Sequence, residues 1–191
     1  MSHTYSWRLS EVVILLVLAV ALGVLWWGWT LFTTLTAPLN AIGLGYLFNG
    51  VWLTGGILIP FLIRRPGAAI IGETAAAVIE AFITQWGITA VIWGVVQGLG
   101  CEIVFAATGY RRYNLWTLIL AGVVSDLFSY GLDFFYSHYA GLAGWVIAVQ
   151  ITSAIVSGIL LAGVLSYVVG RGIIRTGALR SLLPGTQSEG G

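Results

Sequence analysis

Glu73 and Glu80 sit in the run RRPGAAIIGETAAAVIEAF, and Gln97 and Glu102 follow in VVQGLGCE. Seven residues make two turns of α-helix, so the two glutamates of the first run share a face, about 10 Å apart along the axis. The residues around all four are apolar. An ionised side chain near the centre of a bilayer costs roughly 2.5–3.5 kcal/mol on insertion scales, so three glutamates in neighbouring apolar segments require a shared polar interior. Such an interior accepts hydrogen bonds and offsets positive charge, which is the chemistry of a binding pocket.

Covalent and metal chemistry lack their usual parts. Nucleophile-elbow, phosphate-loop and zinc-protease patterns are absent. The sequence has no Lys, so neither a Schiff base nor a phosphate-loop lysine is available. His3 and His138 each stand alone, whereas a metal centre needs several ligands at close quarters. The single cysteine, Cys101, lies within an apolar run and reads as a small packing residue. No catalytic residue, metal ligand or cofactor follows from the sequence, and the chain does not read as an enzyme.

The elements that position these groups are membrane helices. Hydrophobic residues make up 59% of the 191, and charged residues only 8%. The usual charged share of a soluble domain is about 25%. A net charge of +1 gives no reason to invoke nucleic acid. Leu9 to about Leu31 is long enough to cross a hydrocarbon core of roughly 30 Å, and longer than the apolar region of a cleaved signal. It ends in WWGW, and Trp26, Trp27 and Trp29 fit an interfacial aromatic belt. Further spans are expected at about Ala41–Ile63, from Pro66 (placed at a helix start) to Thr84, at Ile88–Thr108, at Leu115–Tyr136 and at Trp145–Val169. Residues 1–180 thus read as one all-α domain of six transmembrane helices, and 181–191 as a disordered tail. No internal repeat supports an inverted-repeat carrier.

All eight basic residues are Arg. They fall at Arg8, Arg64–Arg65, Arg111–Arg112 and from Arg171 onward, and the three alternate loops have none. The positive-inside rule then places both termini in the cytoplasm of a multi-pass cell-membrane protein. This orientation converts residue number into depth at about 1.5 Å per residue. Glu80, Gln97, Trp93, Tyr130, Asp133 and Asn49 fall in the outer half, with Trp86 at the outer mouth and Trp52 as a further stacking group. Glu73 and Glu102 lie deeper, level with each other and near Arg65 and Arg111. Ligand contact and a structural salt bridge are both open for that pair. Asp126, near mid-membrane, is equally open between ligand contact, helix capping and coupling to motion.

The segments IRRPGAAIIGETAAAVIE, VVQGLGCEIVFAATGYRRY and LILAGVVSDLFSYGLDFF resemble the YkoE-type substrate-binding (S) components of energy-coupling factor (ECF) transporters. The resemblance covers roughly residues 49–139. Glu73, Glu80, Gln97 and Glu102 match its motif blocks, and Asp133 matches the acidic end of the third. It implies capture of thiamine or its hydroxymethylpyrimidine precursor on the outer side. It also implies work with a transmembrane coupling (T) subunit and two ATP-binding subunits. Many S components are described as meeting the T subunit through small residues of helix 1, and Ala19-x-x-x-Gly23 partly matches that pattern.

The pocket residues suit that ligand on chemical grounds as well. Carboxylates offset a thiazolium and accept from an amino group, amides meet a ring edge, and Trp faces suit flat or cationic rings. The Arg residues all fall at cytoplasmic positions, which disfavours a phosphorylated ligand. The rival reading is a stand-alone proton- or ion-coupled carrier with Glu73, Glu80, Glu102 and Asp126 as a path.

Overall fold

Apolar runs bounded by Gly, Pro, Asn and Arg become helices, and the computed structural model describes residues 7–179. His3 and the expected tail 181–191 lie outside the described residues. Every regular element among those described is helical: α1 (Leu9–Leu35), α2 (Gly55–Ile63), α3 (Ala68–Ile83), α4 (Ile88–Ala107), α5 (Leu115–Tyr136), α6 (Gly144–Ser157) and α7 (Leu165–Thr176). Five segments are long and apolar enough to span a membrane: Leu9–Leu35, Leu44–Ile63, Ile88–Ala107, Leu115–Tyr136 and Gly144–Thr176. With α3 at 16 residues, its rise is about 24 Å, short of a full hydrocarbon core.

The second segment is not the uniform helix expected over Ala41–Ile63. Gly43 adopts φ 81°, Leu44–Leu53 is a 3₁₀ helix, and the α geometry of α2 begins only after Thr54. At position 43 a side chain would meet Val146 O at 2.8 Å. The Gly50 N–H donates to Ser157 Oγ at 2.7 Å, a tertiary bond that draws this backbone against α6. A 3₁₀ helix rises about 2.0 Å per residue, so Leu44–Ile63 reaches about 33 Å with only 20 residues. The last segment is also irregular, since Gly158–Val164 forms a π-helix between α6 and α7.

Missing side chains set the closest approaches. A Cβ at Gly98 would stand 2.8 Å from Ile70 Cα, so α4 lies directly on α3. One at Gly122 would stand 2.2 Å from Gly158 O, where α5 meets the π-helix. Ala19 and Gly23 face α3, and a Cβ at Gly23 would meet Ile79 Cβ at 2.7 Å. The small-residue stripe of α1 is therefore consumed inside the chain, and its outward face is Val13, Leu16, Val17, Val20 and Val24.

Arg65 holds the base of this bundle. Its guanidinium makes a forked contact with Glu11 of α1, Nη2 to Oε1 at 2.9 Å and Nε to both oxygens at 3.0 Å. Glu11 also accepts from the Arg8 N–H at 2.9 Å. The salt bridge considered for Glu73 or Glu102 is thus made by a residue the sequence reading passed over. Pro66 lies just outside α3 rather than in its first turn, because Gly67, at φ 82°, is the N-cap.

Candidate functional site

Three residues per turn align positions i, i+3 and i+6 on a 3₁₀ helix, where an α-helix would fan them through about 120°. Tyr46, Asn49 and Trp52 therefore form one straight row, and all three line a cavity of about 790 Å³. The lining continues onto α3, α4 and α5, through Glu80, Trp93, Gln97 and Asp133. Trp86, Gln85 and Ser137 stand exposed at the rim. The volume suits a small organic molecule, and no Arg among the described residues lines the cavity.

Two carboxylates line this space, and each is held by aromatic donors. Glu80 Oε1 accepts from Trp52 Nε1 at 3.0 Å and from Thr30 Oγ1 at 3.4 Å. Asp133 Oδ2 accepts from the Tyr46 hydroxyl at 2.7 Å, and its Oδ1 from Trp93 Nε1 at 2.8 Å. Tyr136 packs edge-on against Trp93 with centroids 4.9 Å apart. Charge-assisted bonds of this kind fix both the acids and the ring planes beside them. The site therefore offers anionic poles and flat apolar walls, and that combination fits a planar, positively charged or amino-bearing ligand.

Gln97 lines the cavity as well, while Tyr130, Glu73, Glu102 and Asp126 lie behind the lining. Gln97 Nε2 donates to Ser129 Oγ at 2.9 Å. Tyr130 sits one layer out, its hydroxyl on Gln150 Oε1 at 3.2 Å and its ring edge-on to Tyr46 at 5.2 Å. Glu73 is fully buried below the cavity, where one oxygen accepts from the Gly56 N–H at the start of α2 and the other, Oε1, has no partner. Glu102 caps α3, accepting from the N–H groups of Gly67 at 2.6 Å, Ala69 at 3.1 Å and Ile70 at 3.3 Å. Asp126 is wholly buried and accepts from Asn49 Nδ2 at 2.6 Å. Seven expected residues thus converge on the cavity (Glu80, Gln97, Asp133, Asn49, Trp52, Trp86, Trp93). Tyr130, Glu73 and Glu102 do not reach it.

The sequence reading missed several lining groups. Tyr46 stands three residues before Asn49, and a 3₁₀ reading would have put it on the same face. Trp26 was expected in an interfacial belt, yet it is only 1% exposed and lines the cavity. Its Nε1 donates to Val51 O at 2.9 Å and to Thr54 Oγ1 at 3.2 Å. Leu22, Trp26 and Thr30 recur at helical spacing on the buried face of α1, which separates Trp26 from its exposed neighbour Trp27.

Comparison with known proteins agrees with this architecture. A family model described as an ABC-type cobalt transport system, permease component, matches residues 10–128. The putative HMP/thiamine permease protein YkoE of Bacillus subtilis (strain 168) is 32% identical over 183 residues, which is 95% of this chain and 92% of that protein. A crystal structure of an S-component of an ECF transporter aligns with a TM-score of 0.84 at 32% identity, covering 92% of this chain and 90% of the other. These relatives are transporter subunits rather than enzymes. The chain is a multi-pass membrane protein and belongs to the YkoE-type substrate-binding components of ECF transporters.

Proposed function

We propose that this S component captures thiamine or its hydroxymethylpyrimidine moiety in the cavity between the 3₁₀ row and α3–α5. The observation that carries the reading is the pair of aromatic-held carboxylates, Glu80 and Asp133, in a space that no described Arg lines. One acid balances the thiazolium and the other receives the exocyclic amino group, while Trp52 and Trp93 flank the rings. The lack of an Arg disfavours a phosphorylated form, whose charge would be unmatched. The relative's name, a putative HMP/thiamine permease, supports the same substrate class.

In this reading α3 also crosses the bilayer, giving six crossings with both termini in the cytoplasm. The cavity then opens to the outside, and the Arg-bearing turns face inward. Transport is driven by a transmembrane coupling subunit and two ATP-binding subunits, because this chain carries no phosphate-binding loop. The purified chain should bind thiamine without ATP, and liposomes containing it alone should not concentrate the vitamin. Uptake by the chain alone under a proton gradient would contradict the proposal and favour an ion-coupled carrier.

A further inference from the structure

Most hydrogen-bond donors in the depth of the cavity are already used by the protein. Trp52 Nε1 is spent on Glu80, and Trp93 Nε1 and the Tyr46 hydroxyl on Asp133. The threonine hydroxyls along α1 at the cavity, Thr33, Thr34 and Thr36, donate to backbone carbonyls of their own helix. Both deep amides are tied by their nitrogen ends, Gln97 to Ser129 and Asn49 to Asp126. An amide has one acceptor end and one donor end, so anchoring the nitrogen presents the carbonyl. Neither Asn49 Oδ1 nor Gln97 Oε1 is hydrogen-bonded by another described residue, and neither is sealed from solvent. Gln85 and Trp86, whose donors no described residue uses, stand at the exposed rim, and the half-buried Tyr139 hydroxyl accepts from Tyr46 at 3.5 Å.

Asp126 is the group that imposes this polarity at Asn49. It does not line the cavity, it is 0% exposed, and Asn49 is the hydrogen-bond donor it meets, at 2.6 Å. Its second oxygen, Oδ2, is buried without a partner. As an ionised carboxylate Asp126 accepts and does not donate, so Asn49 turns its NH₂ toward it and its oxygen toward the ligand. We propose that Asp126 is a specificity-determining positioning residue: by locking the Asn49 amide it makes the inner cavity a reader of N–H donors, selecting an amino-bearing ring over its oxo counterpart. The inference rests on the thiamine-class reading and extends it to the sense of the hydrogen bond.

A site whose acceptors face a ligand acceptor leaves both unpaired, and such mismatches discriminate strongly. The test uses the purified full chain, titrated with thiamine and with its 4-oxo analogue, alongside melting curves. The wild type should prefer thiamine by tenfold or more. Asp126→Asn gives the buried group a donor of its own and lets the Asn49 amide turn over, so the preference should fall about tenfold. Much of that fall should come from improved binding of the oxo analogue, which a general loss of structure would not produce. Asn49→Ala should lower the preference as well, and adding Asp126→Asn to it should change nothing more.

A wild type that binds both compounds equally overturns the inference while leaving thiamine binding intact. Full preference in folded Asp126→Asn overturns it too. Should Asp126→Asn fail to fold, undiminished preference in Asn49→Ala decides against it and lost preference decides for it. Binding of neither compound to the wild type removes the substrate reading itself, and this inference with it.

Discussion

Glu102 and Glu80 are both glutamates of apolar helices, yet their partners assign them different work. Glu102 meets three backbone N–H groups at the start of α3, where a helix leaves its first donors unsatisfied and its dipole favours negative charge. Glu102→Ala should therefore lower the melting temperature, by about 1–2 kcal/mol of stability, with little change in thiamine affinity. Glu102→Gln, which keeps an acceptor, should fall between the two; a large loss of affinity in a stable Glu102→Ala protein would contradict the assignment. The sequence shows that each acid needs company but not which company, because the partners are backbone groups and aromatic N–H donors on other helices. Spacing put Glu73 and Glu80 on one face, and the structure separates them into a buried contact with α2 and a cavity wall.

Among the elements, the seam between α5 and the last segment is set by paired glycines. A methyl group at Gly122 would fall 2.2 Å from Gly158 O, where neither backbone can yield easily. Gly122→Val should thus destabilise the bundle by 1–3 kcal/mol or more, seen as a fall in melting temperature. Gly131→Ala on the same helix meets nothing within 4 Å and should be neutral or stabilising by up to about 1 kcal/mol. Equal melting curves for the two variants would contradict the packing argument. The start of α4 at Ile88 and both ends of α5 were readable because Gly87, Asn114 and Ser137 punctuate strongly apolar runs. The 3₁₀ row and the π-helix were not. Their geometry depends on tertiary contacts such as Gly50 with Ser157, and a hydropathy pattern does not register those. The position of Trp26 was lost for a related reason, since a cluster of tryptophans resembles a belt until helix phase is compared with its neighbours.

For the molecule as a whole, the alternation of Arg-bearing turns predicts opposite faces for the 4–5 and 5–6 connections. Single cysteines at Arg112 and Ala140, in a Cys101→Ala background, should react with an impermeant thiol reagent from opposite sides, Ala140 from outside. Reaction of both from one side would contradict six crossings. Composition alone assigned the chain to the membrane, but convergence of the polar groups needed the fold, because the row of Tyr46 and Trp52, Glu80 and Asp133 come from three separate segments. That convergence is the central claim, and thiamine titration of the purified protein, followed through the fluorescence of the cavity tryptophans, tests it most directly. The wild type should show saturable binding, and Glu80→Gln with Asp133→Asn, which keeps shape and removes both charges, should weaken it tenfold or more while the protein still melts cooperatively. Undiminished affinity in that double variant would contradict the account.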